Sequence, residues 1–500
     1  MKDRVRQSMA WLHTWAGLLF GWLVFVIFAC GTISYWQDEI TRWMQPEITG
    51  RADPVAAIEG AAAFLQRTSP DAKNWYITPP SPRAATTEVF WEPASEVPGQ
   101  VTQATLEGAK PVDARDTRGG AFFYRFHFDL YGVPYLWARY LVGVAAMFML
   151  VAILSGIVTH KKIFVDFFLL RLGKRQRSWL DAHNVTAVVA LPFHLMITYT
   201  GLVTLATLYM PWAIAANYAS EDQFYADVFP GVAVVESDGR SAASAPQGPM
   251  IAAAQARWGE GGIGFVQVTA PGHVGSTVTF RQSSAAGMDA RGEEIAFDGV
   301  SGRIRGEPAA KGGAAATEGV MIGLHTGRYA RPVLRWLYFL SGLAGTVMVA
   351  TGLVLWTVKR RAKLFDPARP HAGFRLVERL NIAVIAGFPA ATAAYFLANR
   401  LLPTGLAARA EWEIRCLFLA WAAAFVLASV RSPRRAWIEL LGLSALLFAL
   451  VPVVNAATTQ RGLIASMQRG DWLFAGFDLV MAATASILAL TAQKVGRRTA

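Results

Sequence analysis

DAHNVTAVVALPFHLMITYTGLVTLATLYMP, residues 181–211, is about as long as a membrane span. Past Asp181, His183 and His194 are its only side chains that readily carry charge. Read as one helix, the eleven steps between them make close to three turns. Both imidazoles then share one face, about 16 Å apart along the axis. Ionisable groups inside a span are costly and point to function. Two ligands at different depths on one face suggest two cofactors stacked across a bilayer.

The composition agrees with a membrane setting. Of 500 residues, 54% are hydrophobic and only 16% charged, with 17 Trp and 29 Phe. The net charge of +12 could suggest nucleic acid. The basic residues sit instead in short segments beside apolar runs, which is a topology signal and gives no nucleic-acid partner. Cys30 and Cys416 both lie in apolar runs, so neither a disulfide framework nor a thiolate metal site is expected. KDRVR at 2–6 precedes an apolar run too long for a signal peptide and lacking a small-x-small site, so it reads as an uncleaved first span.

About eight spans are expected, at 11–36, 137–159, 183–209, 333–357, 379–400, 412–430, 435–455 and 472–493. Lys2, Arg4 and Arg6, the 2–3 loop (Lys161, Lys162, Arg171, Lys174, Arg175, Arg177), the 4–5 loop (Lys359, Arg360, Arg361, Lys363), Arg431, Arg434 and Arg435, and Lys494, Arg497 and Arg498 all fall on one side. The positive-inside rule makes that side, and both termini, cytoplasmic. The fold class is thus an α-helical polytopic membrane protein with two small outer α+β domains. In order, it has span one (1–36), outer domain one (37–136), spans two and three with a basic cytoplasmic loop (137–209) and outer domain two (210–332). Span four (333–357), a cytoplasmic loop (358–378), a four-helix membrane bundle (379–493) and a cytoplasmic tail (494–500) follow. Each outer domain opens on an amphipathic stretch, AAIEGAAAFLQR at 56–67 or MIAAAQARW at 250–258, and continues in short alternating runs such as STVTFRQ at 276–282. GEPAAKGGAAATEG at 306–319 reads as a flexible link to span four.

Spans one to four form an internal repeat. His13 precedes Gly31 by eighteen residues and His183 precedes Gly201 by eighteen. SGIVTHKK (155–162) closes span two and TGLVLWTVKR (351–360) closes span four, while His127 and His325 precede those spans at nearly matching distances. The last four spans lack the repeat. Their few ionisable residues, Glu411, Glu413, Arg415, Glu439 and Asp478, lie mostly near span ends, and the bundle reads as scaffold or partner surface.

Six of the eight histidines lie in or beside the repeated spans. Histidine is the usual axial ligand of b-type haem, and glycines such as Gly17, Gly21, Gly143, Gly156, Gly201, Gly342, Gly345 and Gly352 allow the close helix approach a haem slot needs. Depth sorts the six into an inner group of His13, His160 and His183 and an outer group of His194, His325 and His127. Haem iron would be held through His194, His325, His183 and His13, with two haems preferred; for each histidine the alternative is a core or interfacial structural role. His194 has no counterpart in the repeat and is the sharpest single ligand candidate. His273 reads as a surface turn and His371 as cytoplasmic loop. Arg125, Arg139, Arg328, Arg331 and Arg335 flank the outer histidines against the topology trend and could meet haem propionates or an anionic substrate. Asp129 and Asp227 are the internal partners on offer. The chain shows no Walker loop, dinucleotide fingerprint, HExxH or GxSxG.

WLHTWAG at 11–17, DAH at 181–183, GLHTG at 323–327 and the GIVTHKK and TGLVLWTVKR ends together resemble the PepSY-associated transmembrane helix family, which includes iron-regulated inner-membrane proteins and siderophore-iron reductases. GFVQVTAPGHVGSTVTF (264–280) and AFDGVSGRI (296–304) resemble PepSY modules, the second outer domain more closely than the first. The resemblance covers about residues 8–360. It implies haem b between the first four spans, with ligands carried by match to His13, His160, His183, His194 and His325, and electrons moving outward to a ferric chelate. The sequence departs from the pattern at His183-Asn184-Val185, where an aromatic or arginine is usual, and in its four additional spans. Two functions follow as expectations. One is a bacterial inner-membrane electron-transfer protein, a membrane ferric-chelate or siderophore reductase. A cytoplasmic reductant or a membrane quinol would feed it, and a ferric chelate, with or without a periplasmic protein partner, would receive the electron. The other is a PepSY-type binding or regulatory protein without redox activity.

Overall fold

Inside hydrocarbon a backbone has to satisfy its own N–H and C=O groups, so the apolar runs fold as helices. The computed structural model describes residues 2–50, 53–95, 102–159, 171, 176–231, 239–306 and 311–497. They form two units, one of 1–46, 115–202 and 332–500, the other of 47–114 and 203–331. In the first unit seven helices are long and apolar enough to cross a membrane: Arg4–Ser34, Tyr135–Thr159, Pro332–Arg361, Ala372–Leu401, Arg409–Val430, Pro433–Thr458 and Trp472–Arg497. Counting the bent pair Gln176–Val189 and Leu191–Thr204 as one crossing gives eight. In chain order these are spans one to eight, the bent pair being span three.

The opening stretch corrects the sequence reading. It is not one straight helix over 183–209 but two helices bent by 68°. Pro192 supplies the reason: its nitrogen has no hydrogen to donate, and its ring crowds the carbonyl four residues earlier. The second helix restarts with the His194 amide donating to the Ala190 carbonyl at 2.8 Å. His183 and His194 therefore do not share one continuous helix face.

The last four spans bury more polar chemistry than their sequence suggests. Asn399, Arg409, Glu413, Asn455 and Asp478 are all 0% exposed. Glu413 accepts from the Thr117 hydroxyl at 2.6 Å, the Asn399 amide at 2.7 Å and the Arg409 guanidinium. Asp478 accepts from the Trp43 indole at 3.1 Å and the Asn455 amide at 3.0 Å. Arg400 lies over the Trp43 ring at 3.7 Å and donates to Asn455 Oδ1 at 2.9 Å. Buried charges persist in proteins when they are paired and hydrogen-bonded, and these bonds clamp the bundle to the helix Gln37–Met44 and to residues 115–120.

The second unit departs from the expectation of two small domains. Its strands are β1 (Asn74–Thr78), β2 (Thr87–Glu92), β3 (Gln103–Glu107), β4 (Lys110–Pro111), β5 (Ile263–Thr269), β6 (Thr277–Gln282), β7 (Glu294–Asp298) and β8 (Ile304–Gly306). All eight join one antiparallel sheet in the order β4-β3-β2-β1-β5-β6-β7-β8. β1 pairs with β5, Trp75 opposite Val268 and Ile77 opposite Val266. The pairing satisfies what would otherwise be an open edge on each half. Each half supplies one helix to the core, Pro54–Thr68 through Ile58 and Leu65, Gln247–Trp258 through Met250 and Ile251. The first begins where Asp53 caps it, accepting from the Ala56 amide at 2.9 Å, with Pro54 in the first turn. Residues 307–310 of the expected link lie outside the described residues, and from Gly313 to Thr326 it is helical, as its alanine-rich sequence favours.

Candidate cofactor site

Four histidines of the membrane unit are held in one repeated way. His13 lies on Gly156 of span two: a methyl group added there would stand 3.1 Å from its Cε1. His183 lies on Gly352 of span four with a corresponding distance of 3.0 Å, and His127 on Gly31 of span one at 2.7 Å. Gly345 differs in part: a methyl there would meet the Phe28 ring first, and His194 Nε2 at 3.1 Å. In every case the ring bonds the backbone carbonyl four residues before the glycine: His13 to Ala152 at 2.8 Å, His183 to Met348 at 2.8 Å, His127 to Ile27 at 2.7 Å and His194 to Ser341 at 3.3 Å. In a helix that carbonyl also accepts from the glycine amide. The missing side chain lets the ring reach it from the side. Glycine inside a helix costs roughly 1 kcal/mol against alanine, so four such seats mark where close approach is required.

The bonds fix tautomers. A carbonyl only accepts, so in neutral imidazole the bonding nitrogen carries the proton and the other the lone pair. His13, His127 and His183 all use Nδ1 and keep Nε2 as the lone-pair nitrogen. Burial holds the His127 imidazole below its ordinary pKa, which favours that neutral form. His194 uses Nε2 and leaves Nδ1 buried without a hydrogen-bond partner. Its ring stands 6.0 Å from that of Phe28 and 6.1 Å from that of Phe193.

His13 and His183, the first histidines of the two repeated halves, come together with ring centroids 6.1 Å apart. With metal–imidazole bonds of about 2 Å and each ring centre about 1 Å beyond its nitrogen, two imidazoles holding one metal ion between them would stand roughly 6 Å apart. The pair fits a bis-imidazole iron in donor chemistry and in spacing. Among the described residues no three His, Cys, Asp or Glu side chains gather as a metal cage. A haem brings four nitrogens of its own and needs no such cage. The seats of His183 and His194 lie seven residues apart on span four, which is about 10.5 Å of rise and replaces the 16 Å of the straight-helix reading.

The remaining candidates divide. His160 lies outside the described residues. His325 belongs to the second unit, in the last turn of Gly313–Thr326, and Arg328 and Arg331 are exposed there. Arg125 and Arg139 both pair with Asp129, at 3.3 and 2.9 Å, the internal partner the sequence offered. Arg335 meets Glu39 at 3.1 Å. His273 bonds the Pro271 carbonyl in a turn, and His371 caps the helix Ala372–Ile385. Sequence reasoning missed the hydroxyls beside two seats. Ser155 and Thr351 immediately precede Gly156 and Gly352; their hydroxyls donate to the carbonyls four residues back, Val151 at 2.6 Å and Val347 at 2.8 Å, and also reach the carbonyls the histidines use, Ala152 at 3.2 Å and Met348 at 2.9 Å. The visible signal was the Ser-Gly and Thr-Gly pair at the two repeat ends.

The profile of the PepSY-associated TM region matches residues 10–359. The chain belongs to the PepSY-associated TM family. The match ends in the last turn of span four, so the bundle from Ala372 onward lies beyond it. The chain is also similar to the uncharacterized protein PA4219 of Pseudomonas aeruginosa, 27% identical over 323 residues, which cover 57% of this chain and 74% of that one. As a PepSY-associated TM protein with several membrane-crossing helices, it is a multi-pass membrane protein.

Proposed function

We propose that this PepSY-associated TM protein is a haem-b electron carrier that passes electrons across the bacterial inner membrane. Its acceptor would be a ferric siderophore or another iron chelate on the periplasmic side. The observation that carries the reading is the His13–His183 pair, 6.1 Å between ring centres, each Nδ1 committed to a carbonyl and each Nε2 left as the lone-pair nitrogen. His13 and His183 would hold the inner haem. His127 and His194, seated on Gly31 and Gly345, are the candidates of the membrane unit for the outer one, with His325 the further candidate by resemblance.

Bound haem supplies a one-electron iron couple. The chain's own residues do the rest. The seats orient each imidazole and fix its tautomer, and Phe20, Phe28 and Phe148 pack apolar surface around spans one to three. A single haem cannot serve both faces of a hydrocarbon core about 30 Å thick, which is why two depths are required. The basic end of span four, Lys359, Arg360 and Arg361, supports a cytoplasmic placement of that end and of both termini. A cytoplasmic reductant or a membrane quinol would then be the donor.

The test is a dithionite-reduced minus oxidised spectrum of the full protein in detergent. A shifted Soret band with a sharp b-type α band is expected, diminished in His13→Ala and in His183→Ala. A colourless protein from haem-replete cells overturns the reading.

A further inference from the structure

Each inner histidine bonds a carbonyl that a glycine uncovers and a hydroxyl shares. His183 Nδ1 and the helical amide of Gly352 converge on the Met348 carbonyl, where the Thr351 hydroxyl, shared with Val347 at 2.8 Å, joins them at 2.9 Å. His13 Nδ1 and the amide of Gly156 converge on the Ala152 carbonyl; the Ser155 hydroxyl donates chiefly to Val151 at 2.6 Å and reaches Ala152 only at 3.2 Å. The two halves of the repeat thus build the same four-part arrangement on spans two and four. Hydrogen bonds from a ligating imidazole to an outer acceptor raise its basicity and tune the metal it holds. The strength of that bond depends on how closely the ring approaches and on how many other donors the carbonyl serves.

We propose that Gly156 with Ser155, and Gly352 with Thr351, are positioning pairs that set the reduction potential of one iron held between His13 and His183. The proposal rests on the haem reading of that histidine pair. The glycine strengthens the imidazole bond by letting the ring in; the hydroxyl weakens it by competing for the same oxygen. The two therefore act with opposite sign. A stronger bond gives the imidazole more negative character, which stabilises ferric over ferrous iron and lowers the potential.

The geometry makes the variants mild. An added methyl at 352 or 156 meets its ring at 3.0 or 3.1 Å, so the ring has only to back away by a few tenths of an ångström. Thr351→Val keeps the shape and removes one donor from a carbonyl that retains its helical bond. Gly442, in span seven, supplies the control, because a methyl there meets nothing within 4 Å.

The experiment is potentiometric titration with ferric electron paramagnetic resonance on the full-length protein in detergent. Gly352→Ala and Gly156→Ala should raise the midpoint of the same component and alter the same low-spin signal, leaving the second component in place. Thr351→Val should lower that midpoint, and Ser155→Ala should lower it less, because the Ser155 hydroxyl donates chiefly to Val151. Gly31→Ala should act on the other component and Gly442→Ala on neither. The inference is overturned if the parent is coloured and the alanine variants at 352 and 156 match its midpoint and signal. It is equally overturned if Thr351→Val moves the midpoint in the same direction as Gly352→Ala, or if Gly442→Ala moves it as far. Loss of colour in Gly352→Ala shifts the decision to Thr351→Val and Ser155→Ala, which leave the seat open. A colourless parent would instead refute the haem reading itself.

Discussion

Glu413→Ala removes one half of a fully buried ion pair in span six. Both side chains of Arg409–Glu413 are 0% exposed. Glu413 also holds the Thr117 hydroxyl and the Asn399 amide, at 2.6 and 2.7 Å. Arg409 keeps other acceptors, the Asp116 carbonyl at 2.9 Å and the Asn399 carbonyl at 2.5 Å, but among the described residues no second carboxylate. Leaving a buried charge without its partner costs about 3–5 kcal/mol, and the orphaned Thr117 and Asn399 donors act in the same direction. Replacing both charges with apolar side chains, Arg409→Met with Glu413→Leu, should recover at least about 2 kcal/mol of the loss, because desolvation of the pair offsets much of its attraction. The assay is detergent-phase unfolding followed by a thiol-reactive dye, since Cys30 is 0% exposed in the folded chain. A single variant within about 1 kcal/mol of the parent, or a double variant no better than the singles, would refute the reasoning.

Two further outcomes follow from the second unit. The Ser301 amide, the Arg305 guanidinium, the Ser301 hydroxyl and the Val300 amide hold the Asp298 carboxyl well below the usual carboxylate range. A depressed folded-state pKa means that this contribution is full well above the unfolded value of about 3.9, falls progressively below it and is gone only below the folded value. Asp298→Asn should therefore weaken hydrogen-exchange protection of β6 to β8 at pH 7, with the gap to the parent narrowing under acid; a gap unchanged down to pH 3 contradicts this. Tyr76 and Gln267 face each other across β1 and β5. Cysteines at both positions should form a disulfide within one chain, holding the two halves together after proteolysis between them. Failure to cross-link under oxidation would argue against the single sheet.

Much of this arrangement can be read from residue order, and the limits have physical causes. Apolar length marks the spans, and the equal His13–Gly31 and His183–Gly201 spacings reveal the duplication. The kink in span three was also legible, because Pro192 stands in plain view between the two histidines. Periodicity alone hid it. The β1–β5 pairing joins strands far apart in sequence, and alternating runs carry no record of which partner they meet. The buried Arg409–Glu413 pair had an i,i+4 spacing as its signal, masked because such pairs usually face solvent. The seats needed three dimensions. Ser-Gly and Thr-Gly mark the repeat ends, yet which ring uses which carbonyl depends on neighbouring helices.

The central claim is that His13 and His183 serve one and the same iron. Its most direct measurement is the low-spin ferric electron paramagnetic resonance spectrum of His13→Ala beside that of His183→Ala, each in the full protein. Both variants should lose the same component and retain the other. Loss of different components, or an unchanged spectrum in either variant, would contradict it.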